Sequence, residues 1–148
     1  LQLRKPKATE KDRLKGEGMD EKKTIMIVDD NDDFVTVTRG ILEGKGFAVI
    51  SASNGQEVFK LLQEKKPHLI ILDIVMPMMD GLEVLTRLRQ SPETAAIPVI
   101  LLTAKGQYRD VLLGFKLGTD YYISKPFTSS QLINGVNLVL GNQGHQHV

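Results

Sequence analysis

Five short apolar runs, each parted from the next by an amphipathic stretch of helical length, constrain this chain more than any other feature. The runs are 24–29 (TIMIVD), 47–52 (FAVISA), 68–73 (HLIILD), 98–103 (PVILLT) and 121–124 (YYIS). A strand covered on one face alternates apolar with polar residues. These runs are nearly continuous, as strands buried on both faces of a parallel sheet are. The stretches between and after them, 32–44, 55–65, 82–91, 107–117 and 128–140, supply five helices to do the covering. Right-handed crossovers then give an α/β fold, a doubly wound open sheet of five parallel strands and five helices.

In such a sheet the ligand site lies beyond the carboxyl ends of the strands. The first run ends in Asp29 and Asp30, the third in Asp73 and the fourth in Thr103, and Lys125 follows the fifth. Carboxylates gathered at one rim raise one another's pKa unless a cation joins them. A hard divalent ion suits this oxygen-only set, and Mg2+, which takes few carboxylates and keeps waters, suits it better than Ca2+. No His or Cys accompanies the carboxylates, which argues against zinc. One aspartate is also a candidate nucleophile for phosphoryl transfer, with a lysine and a hydroxyl to neutralise and orient the phosphoryl oxygens.

Composition narrows the function classes. The chain has 148 residues and no cysteine, so a disulfide framework and a cysteine nucleophile are both excluded. A net charge of +1 provides no global field for nucleic acid, and no apolar run is long enough for a membrane helix. Residues 1–23 hold eight Lys/Arg and five Asp/Glu, so the basic surplus sits in a leader and the body is mildly acidic. The expected organisation is a flexible basic linker over 1–22, one domain over 23–140 and a disordered tail over 141–148. The expected location is the cytoplasm.

The strand-end residues also carry a resemblance. Asp29-Asp30 after IMIV, Asp73 in LDIVMPMMDG, Thr103-Ala104 in ILLTA and Lys125-Pro126-Phe127 resemble, in order and spacing, the receiver domain of two-component response regulators. The resemblance spans about residues 23–140 and implies the flavodoxin-like strand order 2-1-3-4-5. It implies that Asp73 accepts a phosphoryl group from a phosphohistidine of a sensor histidine kinase or phosphotransfer protein. It further implies that Asp30 and Asp73 bind Mg2+ directly, the backbone carbonyl of Val75 being a third ligand and Asp29 acting largely through water. Lys125, aimed by a cis Lys125–Pro126 peptide, would pair with Asp73 before phosphorylation and with a phosphoryl oxygen afterwards. Thr103 would be drawn to another phosphoryl oxygen, and Tyr122 would be the aromatic that turns inward with it. Such a domain catalyses only its own phosphorylation and dephosphorylation.

Plainer roles compete for some of these residues. Asp32 and Asp33 suit the first turn of a helix, where negative charge is favourable. Met76, Met78 and Met79 are expected to pack a loop before the turn at Asp80-Gly81, and Gly118 to cap a helix. His68 is expected to be structural, and His145 and His147 to lie in the tail. Tyr121 and Tyr122 alternate across a strand, so one faces inward and one outward. In the last helix, Leu132, Val136 and Val139 form a core stripe, with Ile133 and Leu140 off it. In the fourth helix Tyr108, Leu112 and Phe115 form the stripe and Leu113 falls outside it. The last helix has no charged residue, and these apolar residues cannot make salt bridges, so an apolar contact of the face formed by the fourth helix, fifth strand and fifth helix with a second copy or an effector is expected. Val75 and Lys105 stand where the family tunes acyl-phosphate hydrolysis, and valine has no polar atom to orient water, so a long-lived phosphoryl group is expected. A haloacid-dehalogenase-like phosphatase would want an acid at Val75, and a dinucleotide-binding turn would read GxGxxG where this chain has DDNDDF. A degenerate scaffold would lack site residues that are all present.

Overall fold

The computed structural model of the chain describes residues 22–104 and 108–142. The elements alternate as β1 (Thr24–Val28), α1 (Asp32–Gly44), β2 (Ala48–Ala52), α2 (Gly55–Leu62), β3 (Leu69–Asp73), α3 (Gly81–Gln90), β4 (Val99–Ala104), α4 (Tyr108–Leu117), β5 (Tyr121–Lys125) and α5 (Ser129–Asn142). The strands form one parallel sheet in the order β2-β1-β3-β4-β5. The expected fold class and strand order are both present. Residues 1–21 of the linker expected over 1–22, residues 143–148 of the tail expected over 141–148, and Lys105 lie outside the described residues. Helix α5 continues to Asn142, two residues past the expected end of the domain.

Alternate residues of the central strands feed two separate cores. Met26, Val28, Ile70, Leu72, Val99 and Leu101 face α2 and α3, where Val58, Val84, Leu85 and Leu88 meet them. Ile25, Ile27, Leu69, Ile71, Ile100 and Leu102 face the opposite way, onto Leu42 of α1 and Leu132, Val136 and Val139 of α5. Strands β1, β3 and nearly all of β4 are buried throughout, which accounts for their unbroken apolar composition.

Helix starts are fixed by side chains rather than by the acidic pair at the end of β1. Asn31, Asn54 and Asp80 each accept the backbone N–H three residues on, at 3.0, 2.9 and 2.9 Å. Thr128 and Gln131 form a reciprocal capping box at the head of α5. Asp32 and Asp33 occupy the first turn of α1, as expected, which leaves Asp29 and Asp30 free of capping duty. Gly118 ends α4 with φ +102°, a conformation that favours glycine. The His68 imidazole is exposed and its Nδ1 accepts the Thr24 N–H at 2.9 Å, a structural role between β1 and β3.

Helix α4 departs from the sequence pattern. Leu112 and Phe115 are exposed, together with Leu113, so they form no core stripe; the side chain of Tyr108 lies outside the described ones. The inward residue is Gly114, flanked by the half-buried Val111 and Leu117. A Cβ at Gly114 would run into the Leu101 side chain, so the helix backbone itself rests on β4. The face of contact is marked by a missing side chain, and hydrophobicity points to the wrong side. In α5 the expected stripe of Leu132, Val136 and Val139 is buried, with Ile133 and Leu140 half-buried beside it.

Candidate functional site

Parallel pairing in register brings the strand ends to one level. Val28 pairs with Leu72, so Asp29 and Asp73 emerge side by side. Thr103 pairs with Ser124 and Ala104 with Lys125, so the hydroxyl and the ammonium emerge on the next two strands. Asp29 is buried to 1% exposure, and its Oδ1 accepts the Asn31 N–H at 3.0 Å. Asp30 is exposed, while Asp73 is buried. One carboxylate oxygen from each of Asp29, Asp30 and Asp73 lies within 4.8 Å of the others.

Lys125 bridges the cluster. Its Nζ lies 2.7 Å from Asp29 Oδ2 and 3.6 Å from Asp73 Oδ2, so the tighter partner is Asp29 rather than Asp73. One ammonium cannot neutralise three carboxylates. Burial, and then the charge of Asp29, push the Asp73 carboxyl up to about 6, against the pull of Lys125 and the Val75 N–H. The surplus negative charge, all on hard oxygen donors, fits a divalent cation of the Mg2+ kind.

The loop after Asp73 is tightly drawn. The Val75 N–H lies 3.4 Å from Asp73 Oδ1, and the Val75 side chain is 60% exposed at the mouth of the site. The Gly81 N–H returns to the Ile74 carbonyl at 2.8 Å, and a Cβ at Gly81 would collide with the Asp73 carbonyl. Within this loop Met76 is buried and Met79 packs on the core, as expected of loop packing. Met78 is exposed and has φ 70°.

Thr103 is buried, with its Oγ1 3.4 Å from Ser124 Oγ. Of the two tyrosines, Tyr121 packs on the core and Tyr122 faces outward at 40% exposure. The Tyr122 ring meets Phe115 of α4 edge-on, centroids 5.8 Å apart. The Lys125–Pro126 peptide is cis, as the resemblance implied.

One member of the site was not anticipated. Phe34 lies with its ring under the Lys125 ammonium, 4.1 Å from Nζ to the centroid. The only signal was an aromatic residue closing the acidic run DDNDDF, in the first turn of the helix that starts at the rim.

Comparison with known proteins agrees with this geometry. A family model described as the response regulator receiver domain matches residues 25–137. The alkaline phosphatase synthesis transcriptional regulatory protein PhoP of Bacillus subtilis (strain 168) is 41% identical over 118 residues, covering 80% of this chain and 48% of PhoP. The chain thus spans about half the length of the curated relatives it matches. Among solved structures, the signal receiver domain of a signal transduction histidine kinase from Syntrophus aciditrophicus is 35% identical with a TM-score of 0.76, covering 81% of this chain and 91% of that one. The receiver domain of a sensor histidine kinase from Pseudomonas aeruginosa PAO1, with a magnesium ion coordinated in its active site cleft, shares the fold at 24% identity and a TM-score of 0.74, covering 81% of this chain and 98% of that one.

Proposed function

The chain belongs to the response regulator receiver domain family, and from that premise we propose that Asp73 is its phosphoacceptor and that phosphorylation there switches an output surface. The observation that carries this reading is the convergence of Asp29, Asp30, Asp73, Thr103 and Lys125 at one rim, with the nucleophile candidate buried between a carboxylate and an ammonium. Receiver domains are signalling modules rather than turnover enzymes. The donor is a phosphohistidine of a sensor histidine kinase or phosphotransfer protein in the cytoplasm.

An Asp73 carboxylate oxygen attacks phosphorus, the P–N bond breaks, and the imidazole nitrogen leaves with the electron pair. Asp29, Asp30, Asp73 and the Val75 carbonyl would hold Mg2+, which when bound supplies positive charge against the phosphoryl oxygens. Lys125 shifts from its present partners towards a phosphoryl oxygen on Asp73, a move that its 3.6 Å approach already prefigures. The Thr103 hydroxyl, released from Ser124, donates to another phosphoryl oxygen. Tyr122 then leaves its outward position against Phe115. The face so altered presents Leu112, Leu113, Phe115 and Tyr122, and a second copy or an effector reads it through apolar contact. The exposed Val75 offers no group to orient an attacking water, so the acyl phosphate persists beyond seconds.

Incubation with Mg2+ and acetyl phosphate followed by intact mass tests the reading. One phosphoryl adduct is expected, absent in Asp73→Asn and absent without the metal; no adduct on the unmutated chain overturns it. A phosphoryl half-life of seconds would contradict the role given to Val75.

A further inference from the structure

We propose that Phe34 is a positioning residue for Lys125, its ring face holding the ammonium over the carboxylate cluster. This rests on the reading of Asp73 as phosphoacceptor for its kinetic consequence, though not for the contact itself. A lysine at 28% side-chain exposure has four rotatable bonds and water within reach. An open groove of about 480 Å³, lined by residues of α1 with Phe34 among them and by Lys125, Pro126 and Phe127 but by none of the three carboxylates, leaves the stem space into which to swing. The ring of Phe34 opposes that. It lies 4.1 Å from Nζ, within the range at which an aromatic face attracts a cation.

The ring is itself fixed from two directions. The Phe34 N–H is the donor to the Asn31 cap at 3.0 Å, which sets its place in the first turn of α1. Phe127, which packs on the core, meets the ring edge-on at 5.7 Å and an interplanar angle of 84°. A neutral ring has a property that no carboxylate in the site shares. Asp29 and Asp73 compete for the lysine, and phosphorylation changes what Asp73 can offer. The ring binds no metal and takes no phosphoryl group, so its attraction for the ammonium is not removed by the change at Asp73. A lysine so held needs less reorganisation to reach the phosphoryl oxygen.

The test is a double-mutant cycle. Phe34→Leu is expected to slow phosphorylation by saturating acetyl phosphate and Mg2+ about three- to thirtyfold, the factor a cation–π contact is worth. Phe34→Tyr, which keeps the ring face, is expected to stay within about twofold of the unmutated chain. In a Lys125→Met background, Phe34→Leu is expected to change the rate by less than about twofold, because the partner is gone. In the metal-free chain, nitrogen-15 relaxation of the Lys125 ammonium is expected to show faster motion in Phe34→Leu. Equal slowing in both backgrounds, or unaltered ammonium motion, overturns the proposal. Thermal unfolding verifies that each variant folds, and Phe34→Met replaces the leucine variant should that one not. An adduct that survives Asp73→Asn sinks the phosphoacceptor reading instead and leaves the ammonium measurement to decide the contact.

Discussion

The two rims of the sheet are built from the same kinds of residue and treat them in opposite ways. At the amino-terminal rim of β4 and β5, Arg89 donates to the carbonyls of Gly118, Ala95 and Ile97 and to Asp120. Asp120 in turn accepts the Val99 N–H at 2.8 Å, and the Thr119 hydroxyl bridges the carbonyls of Val99 and Tyr121. Charge there is matched one to one and spent on holding loops. At the carboxyl rim three carboxylates cluster beside, among the described residues, one ammonium, and the Asp73 carboxyl has its pKa raised. A polar group at the first rim answers to a partner within the fold. At the second the carboxylates exceed the cation available to them, and that surplus is what marks it as a candidate site.

The contrast can be broken at either end. The largest effect is expected at the matched rim: Arg89→Ala should lower the unfolding free energy by about 3 kcal/mol, because it removes the side-chain donor from three carbonyls, that of the buried Ile97 among them, and the cation from Asp120. Denaturant unfolding measures it, and the phosphorylation rate of the folded fraction should be unchanged. A neutral effect on stability would mean the network is decorative. At the site the sign reverses. The Asp73 carboxyl titrates near 6 in the fold against an ordinary 3.8, so its charged form is disfavoured by folding. Above pH 6 the penalty is present in full; below 3.8 the group is neutral in both states and the penalty is gone. The metal-free Asp73→Asn variant should therefore be more stable than the unmutated chain at pH 7, by about 2 kcal/mol after allowance for solvent. The gain should fade as pH drops from 6 towards 4. A gain independent of pH would place its origin outside this carboxyl. The smallest effect belongs to neither rim: Leu113→Glu on exposed α4 should alter stability by less than about 0.5 kcal/mol. Any phosphorylation-dependent self-association or effector binding should be lost in it, as sedimentation and pull-down with a defined partner would show.

Much of this was legible in the chain because buried parallel strands announce themselves and end where chemistry collects. Asp29, Asp73, Thr103 and Lys125 could be placed at one rim from strand ends alone, and the resemblance to receivers supplied their order. Three things escaped. Helix α4 meets the sheet through Gly114, so the residue that marks its inner face carries no hydrophobic signal, and the apolar Leu112 and Phe115 turned out to face solvent. The nearer partner of Lys125 proved to be Asp29, a matter of a fraction of an ångström in register that no spacing encodes. Phe34 drew no role of its own from the run DDNDDF, since an aromatic ring under a cation 91 positions away leaves no local pattern.

The hydrogen bond from Gly81 to Ile74 closes the intervening loop at its base, with the glycine seated on the Asp73 carbonyl. Residues 75–80 are thereby a bight tied off at its base, anchored to the core by Met76 and Met79 while Val75 stands exposed. On the function proposed above, exchanging the exposed Val75 alone is expected to retune the acyl-phosphate lifetime while the tie at the base of the loop stays in place, as one changes the timing resistor in a circuit without rewiring the switch.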